Sequence, residues 1–130
     1  MKNYALGLIS ILFFVFVGCS AELDFSGMVG KEYISYEFSE NQGDRRSMEE
    51  FHADVELMVR VMETVPGSGV YKSVIYINGN KELEIPLTSE YQTENDENTY
   101  QIDSSSFVTF SNEEIVFYDT YDDIQVFLRD

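Results

Sequence analysis

The 130-residue chain carries 24 acidic residues against 8 lysines and arginines, and its only cysteine is Cys19. One cysteine excludes an intrachain disulfide and a thiolate metal cluster, and its position at the end of the amino-terminal apolar run leaves no internal Cys/His dyad. A net charge of −16, with Arg45-Arg46 as the only adjacent basic pair, excludes the Lys/Arg clusters that nucleic-acid phosphates require, and it repels an anionic lipid surface.

Met1-Lys2-Asn3 is a short, weakly positive start, and Tyr4 to Val17 is apolar except for Ser10, the pattern of an export signal. As a helix this run would reach roughly 21 Å at about 1.5 Å per residue, short of the roughly 30 Å hydrocarbon core, so a spanning anchor is the weaker reading. Phe16-Val17-Gly18-Cys19 resembles the lipobox of bacterial lipoproteins, whose cysteine is diacylated, exposed by cleavage and acylated again. Gly18 and Cys19 fit that motif; Phe16 stands where Leu is usual, and Val17 is bulkier than the small residue expected there. The resemblance implies a signal peptide over residues 1–18, cleavage between Gly18 and Cys19, and a lipid on Cys19. Two or three acyl chains hold a protein stably at a membrane where one does not. Ser20, not Asp, follows the cysteine, which by the same resemblance implies the outer membrane. The alternative is an ordinary secretory signal with a chance cysteine. Removing 18 of 130 residues leaves 112, a size for one domain with an ordinary core, and loss of Lys2 takes the charge to −17.

Residues 19–28, with Ser26 and Gly27, are expected to be a lipidated tether, and residues 29–130 a single β-rich domain. Glu32 to Phe38 alternates, which predicts a half-buried strand with Ile34, Tyr36 and Phe38 on one face and Tyr33, Ser35 and Glu37 on the other. Ser47 to Val65 supports two readings. Met48, Phe51, Val55, Met58, Met62 and Val65 fall at helical steps between a Ser47/Glu50 capping box and a Pro66-Gly67 stop, yet Val55, Leu57, Val59 and Val61 alternate with Glu56, Met58, Arg60 and Met62. The valine density favours a short helical turn over residues 47–51 followed by a strand, with Pro66-Gly67-Ser68-Gly69 as a hairpin loop.

Val70 to Ile77 reads as a strand, Asn78-Gly79 as a type I′ turn, and Leu83 to Leu87 as a returning strand that Pro86 confines to an edge. Glu90 to Thr99 reads as a polar loop. Four short runs follow, Tyr100 to Asp103, Phe107 to Phe110, Ile115 to Tyr118 and Ile124 to Leu128, with separators too short for anything but hairpins. These eight segments predict a mainly β fold: an antiparallel meander forming a small up-and-down barrel or curled sheet. Gly30-Lys31-x-Tyr33 and a barrel-closing last strand ending in Arg129 make the domain distantly similar to small lipocalin-like lipoproteins, although no Trp follows Gly30.

No catalytic motif stands out. His52 is the only histidine, so any Ser/His/Asp triad would have to use it, and Gly67-Ser68-Gly69 is a loop tripeptide rather than a nucleophile elbow. Asp119, Asp122 and Asp123, and separately Glu94, Asp96 and Glu97, supply hard oxygens without EF-hand spacing. The abundant Tyr and Phe suit cross-strand pairs and core, or the wall of an apolar cavity if the barrel encloses space. The expectation is a non-enzymatic binding or interaction domain without metal, cofactor or nucleic acid. It would be attached to the membrane through Cys19 and engage another envelope protein or a small apolar ligand. The competing expectation is an acidic inhibitor of a cationic hydrolase such as lysozyme.

Overall fold

Clusters of Val, Ile, Tyr and Phe separated by Gly, Asn, Asp and Ser become strands and tight turns in a computed structural model of the chain. It describes residues 23–93 and 96–130, the side chains of 96 and 97 excepted. The strands are β1 (Tyr33–Glu40), β2 (Arg46–Ser47), β3 (Leu57–Glu63), β4 (Tyr71–Ile77), β5 (Asn80–Pro86), β6 (Gln92–Thr93), β7 (Asp96–Gln101), β8 (Ser106–Phe110), β9 (Ile115–Asp119) and β10 (Ile124–Arg129). They form one antiparallel sheet in the order β5-β4-β3-β1-β10-β9-β8-β7-β6, with β2 added beside β1. The expected meander is therefore present as a curled half-barrel. The last strand closes onto the first, and the seam lies between β5 and β6.

Three strand assignments follow directly from local chemistry. Asn78 and Gly79 take φ values of 50° and 84°, the left-handed pair that a type I′ turn needs, and they join β4 to β5. Pro86, which cannot donate to a ladder, ends β5 at the sheet edge. In β3, Leu57, Val59 and Val61 are buried and point inward, so period two prevails over the helical pattern; within residues 47–65 the helical part is confined to a 3-10 turn at Met48–Glu50, capped by Ser47 Oγ accepting from Glu49 N–H.

Four expectations are corrected. Ten strands replace eight segments because the two-residue β2 and β6 leave no mark on a hydrophobic pattern. β7 reaches back to Asp96, inside the stretch read as loop; its Thr99 faces Thr109 across the ladder with the hydroxyls 2.9 Å apart, a polar pairing without apolar alternation. In β1 the predicted faces are wrong at the amino-terminal half: Tyr33 is buried and Ile34 exposed. The cause is a bulge opposite β10, where Phe127 pairs with Glu37 and Leu128 with Ser35, leaving Tyr36 as the extra residue. One added residue inverts the parity of everything before it.

The fourth correction moves the start of the domain. Residues 23–28, read as tether, pack onto the barrel. Asp24 caps a 3-10 turn at Phe25–Met28 by accepting from Ser26 N–H, Met28 is 3% exposed, and the Phe25 ring meets Phe110 edge-on at 5.6 Å and Tyr100 at 6.3 Å. An apolar turn released to solvent would expose both Phe25 and the core beneath it, so burial overrides the glycine-rich composition. At the opposite end Phe51 packs edge-on against Phe38 at 4.8 Å. Between these two covers, Tyr33, Phe38, Val59, Val61, Ile75, Tyr100 and their neighbours form one contiguous core.

Candidate binding site

The seam between β5 and β6 is where the half-barrel lacks a ladder, and the segment from Leu87, whose N–H bonds the Tyr71 carbonyl, to Gln92 crosses it. Phe25 spans the same gap, with its ring 6.1 Å from that of Tyr71 on β4 and 6.3 Å from that of Tyr100 on β7. Beside it lies a cleft of about 390 Å³ between Phe25, Tyr71, Thr88, Gln92, Asn98 and Tyr100. That volume falls in the small-molecule range of roughly 300–1,000 Å³, and a few polar groups around apolar rings are what such sites use to orient a ligand. Gln92 donates to the Tyr100 hydroxyl at 3.2 Å, which fixes the tyrosine at the cleft wall. Asp24 at the rim accepts from the Ser26 hydroxyl and N–H, and these hold its carboxyl below the ordinary carboxylate range.

On the outer wall the bulged Tyr36 is the centre of a charged cluster. Its hydroxyl donates to Glu114 at 2.6 Å. Arg45 donates to Glu114 and Glu37, and stacks on Phe127 at 3.6 Å from the ring centroid. Burial raises the Glu114 pKa, but hydrogen bonds from Arg45 and Tyr36, with the Arg45 charge, outweigh it and leave the group below its usual value. Arg129 lies over the other face of the cluster, 4.1 Å from the Tyr36 centroid. Arg45, Glu37, Glu114 and the Tyr36 hydroxyl are thus paired with one another, while Arg129 joins the cluster only through the Tyr36 ring.

Charge is unevenly spread. Among the described cations, Lys31, Arg45, Arg46, Arg60, Lys72 and Lys81 all sit in ion pairs. The loops at the end carrying the β4–β5 turn are tied together: Asn41 N–H donates to Asp123 O, Thr120 N–H to Ser105 O, and Asn78 to Asp54 O. They hold Asp44, Glu49, Glu50, Asp54, Asp119 and Asp122, none of them ion-paired among the described residues. Their summed field favours cationic partners over anionic ones.

The other sequence candidates fare as follows. Cys19, Gly18, Phe16, Val17 and Ser20 lie outside the described residues. His52 is exposed, lies against the Phe51 ring at 4.6 Å, and makes no hydrogen bond to a serine or carboxylate of the described residues. Of the Asp119/Asp122/Asp123 set, Asp119 accepts from Tyr121 N–H and Asp123 from the Tyr118 hydroxyl, so two carboxylates are engaged in shaping the β9–β10 turn. No group of three His, Cys, Asp or Glu among the described residues is placed to hold a metal ion, and the Glu94/Asp96/Glu97 set falls outside the described side chains. Sequence reasoning missed the seam residues Phe25 and Asn98. The signal available was Leu23-x-Phe25-x-x-Met28, three apolar residues inside a stretch otherwise read as a linker. No protein-family model matches the chain, and neither a curated protein nor a solved structure matches it.

Proposed function

We propose that this chain is a lipoprotein of the cell envelope, held to the outer membrane by lipid on Cys19, whose β-domain binds and does not catalyse, with the seam cleft as its ligand site. The observation that carries the reading is the division of space: inward side chains meet in one core, while the seam leaves a ligand-sized cleft walled by three aromatic rings. The rings share the lining with Asp24, Thr88, Gln92 and Asn98, so an amphipathic molecule of a few hundred daltons, with an apolar face and several polar groups, matches it. The test is native mass spectrometry of the chain from Ser20 onward after mixing with an envelope extract. A stoichiometric adduct is expected, and a Thr88→Trp variant, which fills the cleft, should lose it. Recovery of only the bare chain in both cases removes the small-ligand reading.

The unpaired carboxylates at the far end favour a second reading, an acidic inhibitor of a cationic hydrolase such as lysozyme. Steering by such a field raises association rates and fades with salt. Binding to a basic hydrolase at low ionic strength should then weaken steeply as salt is added; no binding at low salt removes this reading.

A further inference from the structure

Four of the large apolar side chains that stay exposed lie together at one end of the barrel. Val65 (61% exposed) and Val70 (44%) flank the β3–β4 loop, with Met62 just before it and Val29 bridged beside Val61. Pro66 adds to the patch, and a notch of about 380 Å³ runs between Val29, Met62 and Pro66. This is also the end where the described chain begins, since Phe25 packs on Tyr71, the first residue of β4.

Charge at this rim is nearly compensated, in contrast to the rest of the surface. Arg60 pairs with Glu32 and Lys31 with Asp130. The Glu63 carboxylate accepts from Gly69 N–H at 2.9 Å, and Arg129 stacks on Tyr36 without a carboxylate partner among the described residues. With Asp24, which lines the adjoining cleft beside Gly69 and Val70, three cations stand against four carboxylates, and the electrostatic repulsion expected of a strongly acidic domain is locally small.

We infer that this rim, Val29, Met62, Val65, Pro66 and Val70, rests in the interfacial layer of the bilayer that carries the anchor. The inference rests on the reading of Cys19 as lipidated. Given that, length decides the orientation. From Cys19 to Leu23 is four residues, at most roughly 14 Å when fully extended, so the end of the barrel near Leu23 stays within about two headgroup-layer widths of the acyl chains. Exposed valines and a methionine brought that close gain by entering the boundary between headgroups and acyl chains, as the apolar faces of interfacial segments do. The acidic loops then point away from the membrane.

The chain contains no tryptophan, so a Val65→Trp substitution places a single reporter on the rim and Tyr121→Trp places one on the opposite end, where Tyr121 is 86% exposed. The full precursor, made with its signal and reconstituted into dioleoylphosphatidylcholine vesicles containing acyl-brominated lipid, is the sample. Quenching should be several-fold stronger, and emission bluer, for Val65→Trp than for Tyr121→Trp, with Val70→Trp repeating the result at a second position. The mass of the reconstituted chain reads the anchor separately. A chain without acyl groups overturns both the anchor and the docking; an acylated chain whose Val65→Trp and Val70→Trp reporters are quenched no better than Tyr121→Trp overturns the docking alone.

Discussion

Replacing Phe25 with alanine tests the inclusion of residues 23–28 in the barrel. The ring is partly buried and stands within 6.3 Å, centroid to centroid, of Tyr71, Tyr100 and Phe110. Full removal of a buried Phe side chain costs about 3–5 kcal/mol, and partial exposure at the seam brings the expectation down to about 2–3 kcal/mol. For a domain of this size 1 kcal/mol corresponds to a Tm shift of about 4–8 °C, so Phe25→Ala should melt roughly 10 °C or more below the parent. Urea denaturation of the chain from Ser20 onward, followed by circular dichroism, measures the difference at constant slope. Tyr121→Ala, at an 86% exposed turn position, serves as the control and should stay within about 0.5 kcal/mol. If Phe25→Ala is as silent as the control, the turn does not cover the seam in solution and the domain begins near Val29.

Two further expectations rest on single residues. Asn78 holds a left-handed φ of 50° while its side chain accepts from Glu56 N–H and donates to Asp54 O, so Asn78→Gly should cost about 1 kcal/mol and Asn78→Ala about 2 kcal/mol in urea unfolding. Equal costs would show that backbone geometry contributes nothing there. Hydrogen bonds from Lys72 and Lys81 hold the Glu84 carboxyl at about 2, down from 4.5. A folded pKa below the unfolded one means the stabilisation is present above the ordinary carboxylate value and fades as pH falls toward the depressed one. Carboxyl NMR should place the Glu84 midpoint well below 4.5 in the parent and return it toward that value in a Lys72→Met, Lys81→Met chain. A parent midpoint near the ordinary value would remove the two-lysine clamp.

The parts of the fold legible in the sequence are those where burial and local turn chemistry agree. Val59 and Val61 alternate with Arg60 and Met62, Asn78-Gly79 has few other uses, and the hairpin separators from Ser104 onward admit only antiparallel neighbours. The β1 faces were not legible because a bulge changes parity without changing composition; only the offset between Ser35/Leu128 and Glu37/Phe127 reveals it. Phe25 was hidden because a lone aromatic among Ser, Gly and Asp carries no period, and its partners Tyr71, Tyr100 and Phe110 lie far along the chain. The same holds for Arg45, whose carboxylate partner Glu114 is 69 residues away. The lipobox-like junction was the most specific pattern in the sequence and bears on where the domain sits, while the seam cleft emerged only once the topology fixed which strands fail to meet.

That topology makes the barrel a pair of five-strand leaves, β1 to β5 and β6 to β10, bound along one spine where β1 meets β10. Tyr36 is the rivet in that spine. Deleting it would keep Tyr33, Ser35 and Phe38 pointing inward in unbroken alternation, so the core has no need of the added residue. What the deletion removes is a phenol on the first leaf that bonds Glu114 and underlies Arg129, both on the second. The extra residue thus holds the leaves together from outside the core, and the free edges of the book, rather than its binding, are where Phe25 and the cleft are found.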